Sequence, residues 1–135
     1  MKNIIVTCFF VLMQLGILVH AQTNTTTDIY QKSQDGYACF RIPAIVKSKA
    51  GTLLAFAEPR KNSCSDTGNI DLVVKRSEDG GKTWSRIITV WDDGDNVCGN
   101  PSPIVDQETG RIILVSCWNL GEDHEQQIID KTSQD

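Results

Sequence analysis

Ser77-Glu78-Asp79-Gly80-Gly81-Lys82-Thr83-Trp84 is the stretch on which the reading of this chain turns, because each residue type in it has a mechanical task. Asp79 can accept backbone hydrogen bonds within a turn, the glycines permit positive φ, and Trp84 gives a small sheet a large apolar anchor. Such a turn joins two antiparallel strands, and strand-like segments flank it, Ile70 to Arg76 before and Arg86 to Trp91 after. Further out, the candidate strands are Cys39 to Lys47, Thr52 to Glu58, Ser102 to Asp106 and Arg111 to Trp118. Between them lie Ala50-Gly51, a loop from Pro59 to Asn69, a loop from Asp92 to Gly99, and Glu108-Thr109-Gly110. No amphipathic helix is expected.

The order is strand, tight turn, strand, long loop, strand, hairpin, strand, long loop, after which strand, tight turn and strand begin again. This predicts an all-β chain: one antiparallel four-stranded unit and half of the next. Radial repetition of four-stranded sheets is the propeller solution to exposed strand edges, and each unit leans on its neighbours. The polar stretch from Gly121 to Asp135 falls where a second unit needs its outer strands. Residues 37–135 are therefore expected to be the N-terminal part of a larger propeller domain, inactive and at best marginally folded by themselves.

Residues 1–21 read as a secretory signal, with Lys2 as the positive start, an apolar core from about Ile4 to Val19, and cleavage between Ala21 and Gln22. Thr7, Gln14 and Gly16 interrupt that core, which favours a cleaved signal over a retained membrane anchor. The expected location is secreted or periplasmic, with no membrane association beyond the signal. Residues 22–36 are polar and without periodicity, and read as a linker that becomes ordered only near Tyr37. Cleavage leaves Cys39, Cys64, Cys98 and Cys117 in a chain bound for an oxidising compartment; three pairings are open. Their long, irregular spacing does not suit a metal site, and neither a metal nor another cofactor is expected. A net charge of −4 and the lack of a basic stripe exclude a nucleic-acid partner.

Phe40-Arg41-Ile42-Pro43 sets an arginine inside an apolar run. Strand alternation puts Phe40 and Ile42 on one face and Arg41 with Pro43 and Ile45 on the other, where an unpaired charge is costly. Arg41 is thus expected to have an anionic partner: either a structural Asp or Glu, or the planar carboxylate of a ligand, which a guanidinium grips through two parallel hydrogen bonds.

The spacing Ser-x-Asp-x-Gly-x-Thr-Trp, carried by Ser77, Asp79, Gly81, Thr83 and Trp84, is that of the Asp-box, a hairpin repeated in sialidases and several other propellers; its role is structural. With Phe-Arg-Ile-Pro upstream, the chain from about Tyr37 to Trp118 resembles the secreted retaining exo-sialidases, bacterial ones most closely. The resemblance implies a six-bladed propeller, and sialylated glycans as substrates. It further implies that Arg41 is the first of three arginines holding the sialic acid carboxylate, that Asp66 is the acid/base, that Arg60 faces the sugar's C4 side, and that Asn100 lines its C4 and N-acetyl side. Pro59 and Asn69 depart from the usual pattern around that loop. The family's tyrosine nucleophile has no counterpart here, since Tyr30 and Tyr37 precede the first strand.

Nearby residues carry plainer expectations. Glu58 is placed to orient Arg41 or Arg60, Asp71 is structural, Trp118 fills the core, and His124 has no assigned role. An Asp-box propeller that binds glycans or proteins without catalysis is the alternative from another class, and a self-contained disulfide-tied β domain is a third.

Overall fold

The structure, a computed structural model, describes residues 26–134. The expected signal segment and its cleavage site lie outside these residues. Among the described residues the elements are β1 (Cys39–Lys47), β2 (Leu53–Arg60), β3 (Leu72–Ser77), β4 (Ile88–Trp91), β5 (Val97–Val105), β6 (Ile112–Asn119) and α1 (Glu125–Ile129). Strands β1 to β4 form an antiparallel sheet in sequence order, and β5 pairs with β6 in a second antiparallel sheet.

The middle strands of the first sheet hold the core. Ala55, Phe56 and Ala57 of β2 and Leu72, Val73 and Val74 of β3 are buried. Unbroken apolar runs of this kind suit strands covered on both faces. Ile70 fastens the two sheets together: it bridges Arg60 in antiparallel fashion and Val97 in parallel fashion, and its carbonyl accepts the Cys98 N–H at 2.8 Å. The carboxyl end of β2 is thereby brought against the start of β5.

The hairpin between β3 and β4 closes as its residue types predict. Asp79 accepts the Lys82 and Thr83 N–H groups, each at 2.9 Å, and the Ser77 and Thr83 hydroxyls at 2.8 and 2.6 Å. Gly80 and Gly81 sit at φ 76° and 92°, which costs little without a Cβ. The Trp84 indole donates back to the Gly81 carbonyl at 3.1 Å.

Several boundaries differ from the sequence expectation for identifiable reasons. β2 runs on to Arg60 because Cys39 pairs with Arg60, and the Arg60 carbonyl accepts the Ala38 N–H at 2.9 Å. β5 begins at Val97, not Ser102, because Val97 and Cys98 pair with Asn119 and Trp118. The short helix α1 stands in a stretch expected to contain none; the Gln127 side chain accepts the His124 N–H at 2.9 Å and caps its first turn. Ordering also begins ahead of Tyr37: Tyr30 stacks on Phe40 and donates to the Ala55 carbonyl at 2.7 Å, and Lys75 reaches the Ile29 carbonyl at 3.0 Å. An aromatic side chain with an apolar face and a hydroxyl tip supplies the anchor that a polar composition conceals.

Trp118 is not in the core. It is 37% exposed, and its indole donates to Asp93 at 2.7 Å, tying β6 to the loop before β5. Of the four described cysteines, Cys39 and Cys64 form a disulfide, while Cys98 and Cys117 are free. Cys98 lies opposite Trp118 and Cys117 opposite Gly99, so pleating sends the two thiols to opposite faces of the sheet. Burial pushes the Cys98 thiol up to about 11.

Candidate functional site

Strand register builds the floor of the site. Cys39 faces Arg60 and Arg41 faces Glu58 across the β1–β2 ladder. Side chains at alternate positions share a face, so Cys39, Arg41, Glu58 and Arg60 project to the same side. Beyond Arg41 the ladder breaks: a register shift separates Arg41 from Ala44, and Ile42 sits at φ 49°, a left-handed conformation strained for a β-branched residue. The simple alternation expected through Ile45 therefore does not hold.

The two arginines on this floor differ in kind. Arg60, expected in a loop, is only 3% exposed; its Nη2 pairs with Glu58 at 2.8 Å. Glu58 is equally buried, and its other oxygen accepts the Asn100 N–H at 2.6 Å. That approach requires Gly99, where a Cβ would meet Glu58 Oε1 at 2.8 Å. Arg41 is 42% exposed, so the expectation that its charge is shut away from water fails; its face of β1 is open at this point. Of the two partners considered for Glu58, the ion pair goes to Arg60, because the two residues are neighbours on one face of one strand.

Asp66 arrives from the loop above. Its Oδ1 accepts Arg41 Nη1 at 2.8 Å and Arg60 Nη1 at 2.7 Å. Arg60 Nη1 also donates to the carbonyls of Cys64, at 3.1 Å, and Ser65. The hydrogen bond from Arg60 foremost, then its charge and the contacts with Arg41, hold the Asp66 carboxyl below the usual carboxylate range. So paired, Asp66 is a carboxylate and a proton acceptor, the reverse of the raised value that an acid working near neutral pH requires.

Next to this cluster is a cavity of about 330 Å³, lined among others by Glu58, Arg60, Asp66, Asn100, Cys117 and Glu125. Asn100 sits at φ 53°, a conformation that asparagine tolerates, and its amide donates to Cys117 Sγ at 3.0 Å. Arg41, Arg60, Asp66 and Asn100 are thus brought together, from positions spread over two sheets. Cys117 and Glu125 were not expected there: Cys117 was read for disulfide pairing or a metal and not for a ligand cavity, and Glu125 lies in a stretch without periodicity. A second hollow of about 310 Å³, lined by Tyr30, Phe40, Pro43, Ile45 and Phe56, is mostly apolar and shares only Arg41 with the charged cluster.

Asp71 has the structural place expected of it. It is buried, accepts the Tyr37 hydroxyl at 2.6 Å, and has its carboxyl raised by burial. Both tyrosine hydroxyls are engaged away from the cluster, on Ala55 and Asp71. Among the described residues, no group of three or more His, Cys, Asp or Glu is placed to hold a metal ion, and no helix is long and apolar enough to cross a membrane.

A β-sheet floor with two guanidiniums and a carboxylate beside a polar cavity can offer charge-assisted hydrogen bonds to a polar ligand. No family model matches the chain. It is 38% identical over 90 residues to an exo-alpha-sialidase of Aspergillus fumigatus, covering 62% of this chain and 22% of that protein. It is 38% identical over 96 residues to a sialidase of Bacteroides fragilis, covering 64% of this chain and 18% of that protein. A solved Hadza microbial sialidase matches with a TM-score of 0.59 at 32% identity, covering 66% of this chain and 19% of that one. These relatives are sialidases by name. The chain belongs to the sialidase family, and it spans about a fifth of the length of the relatives it matches.

Proposed function

We propose that the protein is an exo-α-sialidase, hydrolysing terminal α-linked sialic acids from glycoproteins, glycolipids and oligosaccharides with retention, and that this chain supplies one side of its active site. The convergence of Arg41 and Arg60 on Asp66, at 2.8 and 2.7 Å, carries the reading. Sialic acid bears a carboxylate on its anomeric carbon, so a carboxylate nucleophile would approach against like charge, and sialidases use a tyrosine instead. Arg41, open to water and attached only to the loop, takes the substrate carboxylate. Arg60, held from behind by Glu58, faces the C4 side of the sugar, with Asn100 beside it. Asp66 protonates the departing glycosidic oxygen and then takes a proton from water. Transfer of Arg41 from Asp66 to the substrate removes one of the contacts that hold the Asp66 carboxyl low, which moves it in the direction an acid needs.

In this reading β1 to β4 form the first blade of a six-bladed propeller and β5–β6 begin the second. Ser77–Trp84 is an Asp-box with a structural role, as the inward direction of its hydrogen bonds supports. The tyrosine nucleophile, its glutamate and two further arginines come from other blades, so the chain alone is inactive. The protein is secreted or periplasmic; the Cys39–Cys64 disulfide supports this, since disulfides persist in oxidising compartments. Mass analysis of the exported protein should find a mature N-terminus at Gln22.

The test is turnover of an aryl sialoside and of sialyllactose by the full-length protein. Release of free sialic acid with retained configuration is expected. A folded protein that turns over neither substrate refutes the enzyme reading.

A further inference from the structure

The loop that carries Asp66 has little of its own to hold it in place. Lys61, Asn62, Ser63, Ser65 and Asp66 are exposed, and none of them offers an apolar side chain to pack. The base of the loop is closed by backbone bonds from Lys61 to Asn69 at 3.1 Å and from Gly68 to Gly121 at 2.6 Å. Its tip has one covalent anchor, the disulfide from Cys64 to the buried Cys39. Cys39 is the ladder partner of Arg60 and shares a face with Arg41. Cross-linking Cys64 to that point sets its carbonyl within 3.1 Å of Arg60 Nη1 and 3.5 Å of Arg41 Nη1. Asp66, two residues further on, then falls onto both guanidiniums.

We propose that the Cys39–Cys64 disulfide is a positioning device: it seats Asp66 over Arg41 and Arg60, and cutting it unseats Asp66 while the sheet stays folded. Without the cross-link the exposed loop regains conformational freedom, and the ion contacts left to oppose it, from half-exposed Arg41 and buried Arg60, both end on an Asp66 carboxylate that is open to water. The kinetic consequence rests on the acid/base reading of Asp66; the structural consequence does not.

The experiment compares the full-length protein with its Cys39→Ser/Cys64→Ser variant, and with wild type treated with a small dithiol. In the treated protein the S–S bond gains two electrons and two protons to give two thiols, while the dithiol loses them and becomes a cyclic disulfide. Cys98 and Cys117 are already thiols, so this bond is the reagent's only target among the described residues. Three readouts are taken: amide hydrogen exchange, the NMR titration of the Asp66 carboxyl, and kcat and KM on sialyllactose and on an aryl sialoside.

Breaking the bond should speed exchange at Asn62 to Thr67, leave β2 and β3 protected, and return the Asp66 titration toward that of an ordinary aspartate. On sialyllactose, kcat should fall by about a hundredfold with KM little changed, and by less on the aryl sialoside, whose leaving group needs little protonation. Unchanged loop exchange and Asp66 titration in both the variant and the reduced protein overturn the proposal. Loss of protection throughout the sheet in both also overturns it, because the bond is then a general staple. If wild type turns over neither sialoside, the enzyme reading fails, and exchange and titration still decide the positioning role.

Discussion

Asp66 and Asp79 are both exposed aspartates in turns, and both have carboxyls held below the usual range, but by opposite means. Asp79 is satisfied by donors within four residues of itself: the Ser77 and Thr83 hydroxyls and the Lys82 and Thr83 amides. Asp66 is satisfied by Arg41, 25 residues away, and by Arg60, which is itself locked to Glu58. A carboxylate saturated by its own turn has no reason to exchange partners and serves the fold. One held by side chains that can also grip a ligand is available for chemistry.

The largest effect should come from Asp66→Asn in the full-length protein. Hydrolysis of sialyllactose is expected to slow by roughly 10²–10⁴-fold, the usual worth of general acid catalysis, and an aryl sialoside should suffer far less. Equal losses on both substrates would make Asp66 a loop-shaping residue like Asp79.

Arg41→Ala should weaken binding of sialic acid by roughly 1.5–3 kcal/mol, the worth of a hydrogen bond to a charged group, since Arg41 is open to water before a ligand arrives. Arg41→Lys should rescue little, because an ammonium cannot form the two parallel bonds of a guanidinium. Inhibition constants for free sialic acid measure both variants; wild-type affinity with lysine would remove the fork from the argument.

Asp79→Ala should leave KM for sialyllactose unchanged and lower Tm, since the turn loses its four internal acceptor contacts and nothing in the cavity. A shift in KM without a change in Tm would erase the distinction between the two aspartates.

The smallest effect is the response to acid and salt. Both carboxyls have folded values below the unfolded one, about 3.9 for aspartate. Each therefore contributes stability that is present above that pH and lost as pH falls through the depressed folded value. Salt screens the charge pairs of Asp66 but not the neutral donors of Asp79. NMR titrations in low and high salt should move the Asp66 midpoint upward and leave that of Asp79 in place.

The β3–β4 hairpin was legible in the sequence, with Asp79 as the acceptor of the turn's backbone N–H groups, because every donor it uses lies inside one short window. β1 was legible to the residue, from Cys39 to Lys47, since an apolar run bounded by a turn signal marks a strand whatever it pairs with. Less of the site could be read. Arg41, Arg60, Asp66 and Asn100 were singled out through the resemblance to sialidases, yet the expectation of a water-excluded Arg41 placed the burial on the wrong arginine. Exposure depends on which groups cover a side chain, and those came from the Asp66 loop and from β5, far along the chain.

By itself, the sequence determined the all-β order of elements, the closing turn and the residues worth watching, because pleat period and turn chemistry are local properties. Only the tertiary structure decided the Cys39–Cys64 pairing among the three open ones, the burial of Glu58 with Arg60, the docking of Tyr30, and the presence of Cys117 and Glu125 at the cavity. Each of these depends on register between strands and on the meeting of two sheets at Ile70. Residues remote in sequence become neighbours there through pairings that no local window contains.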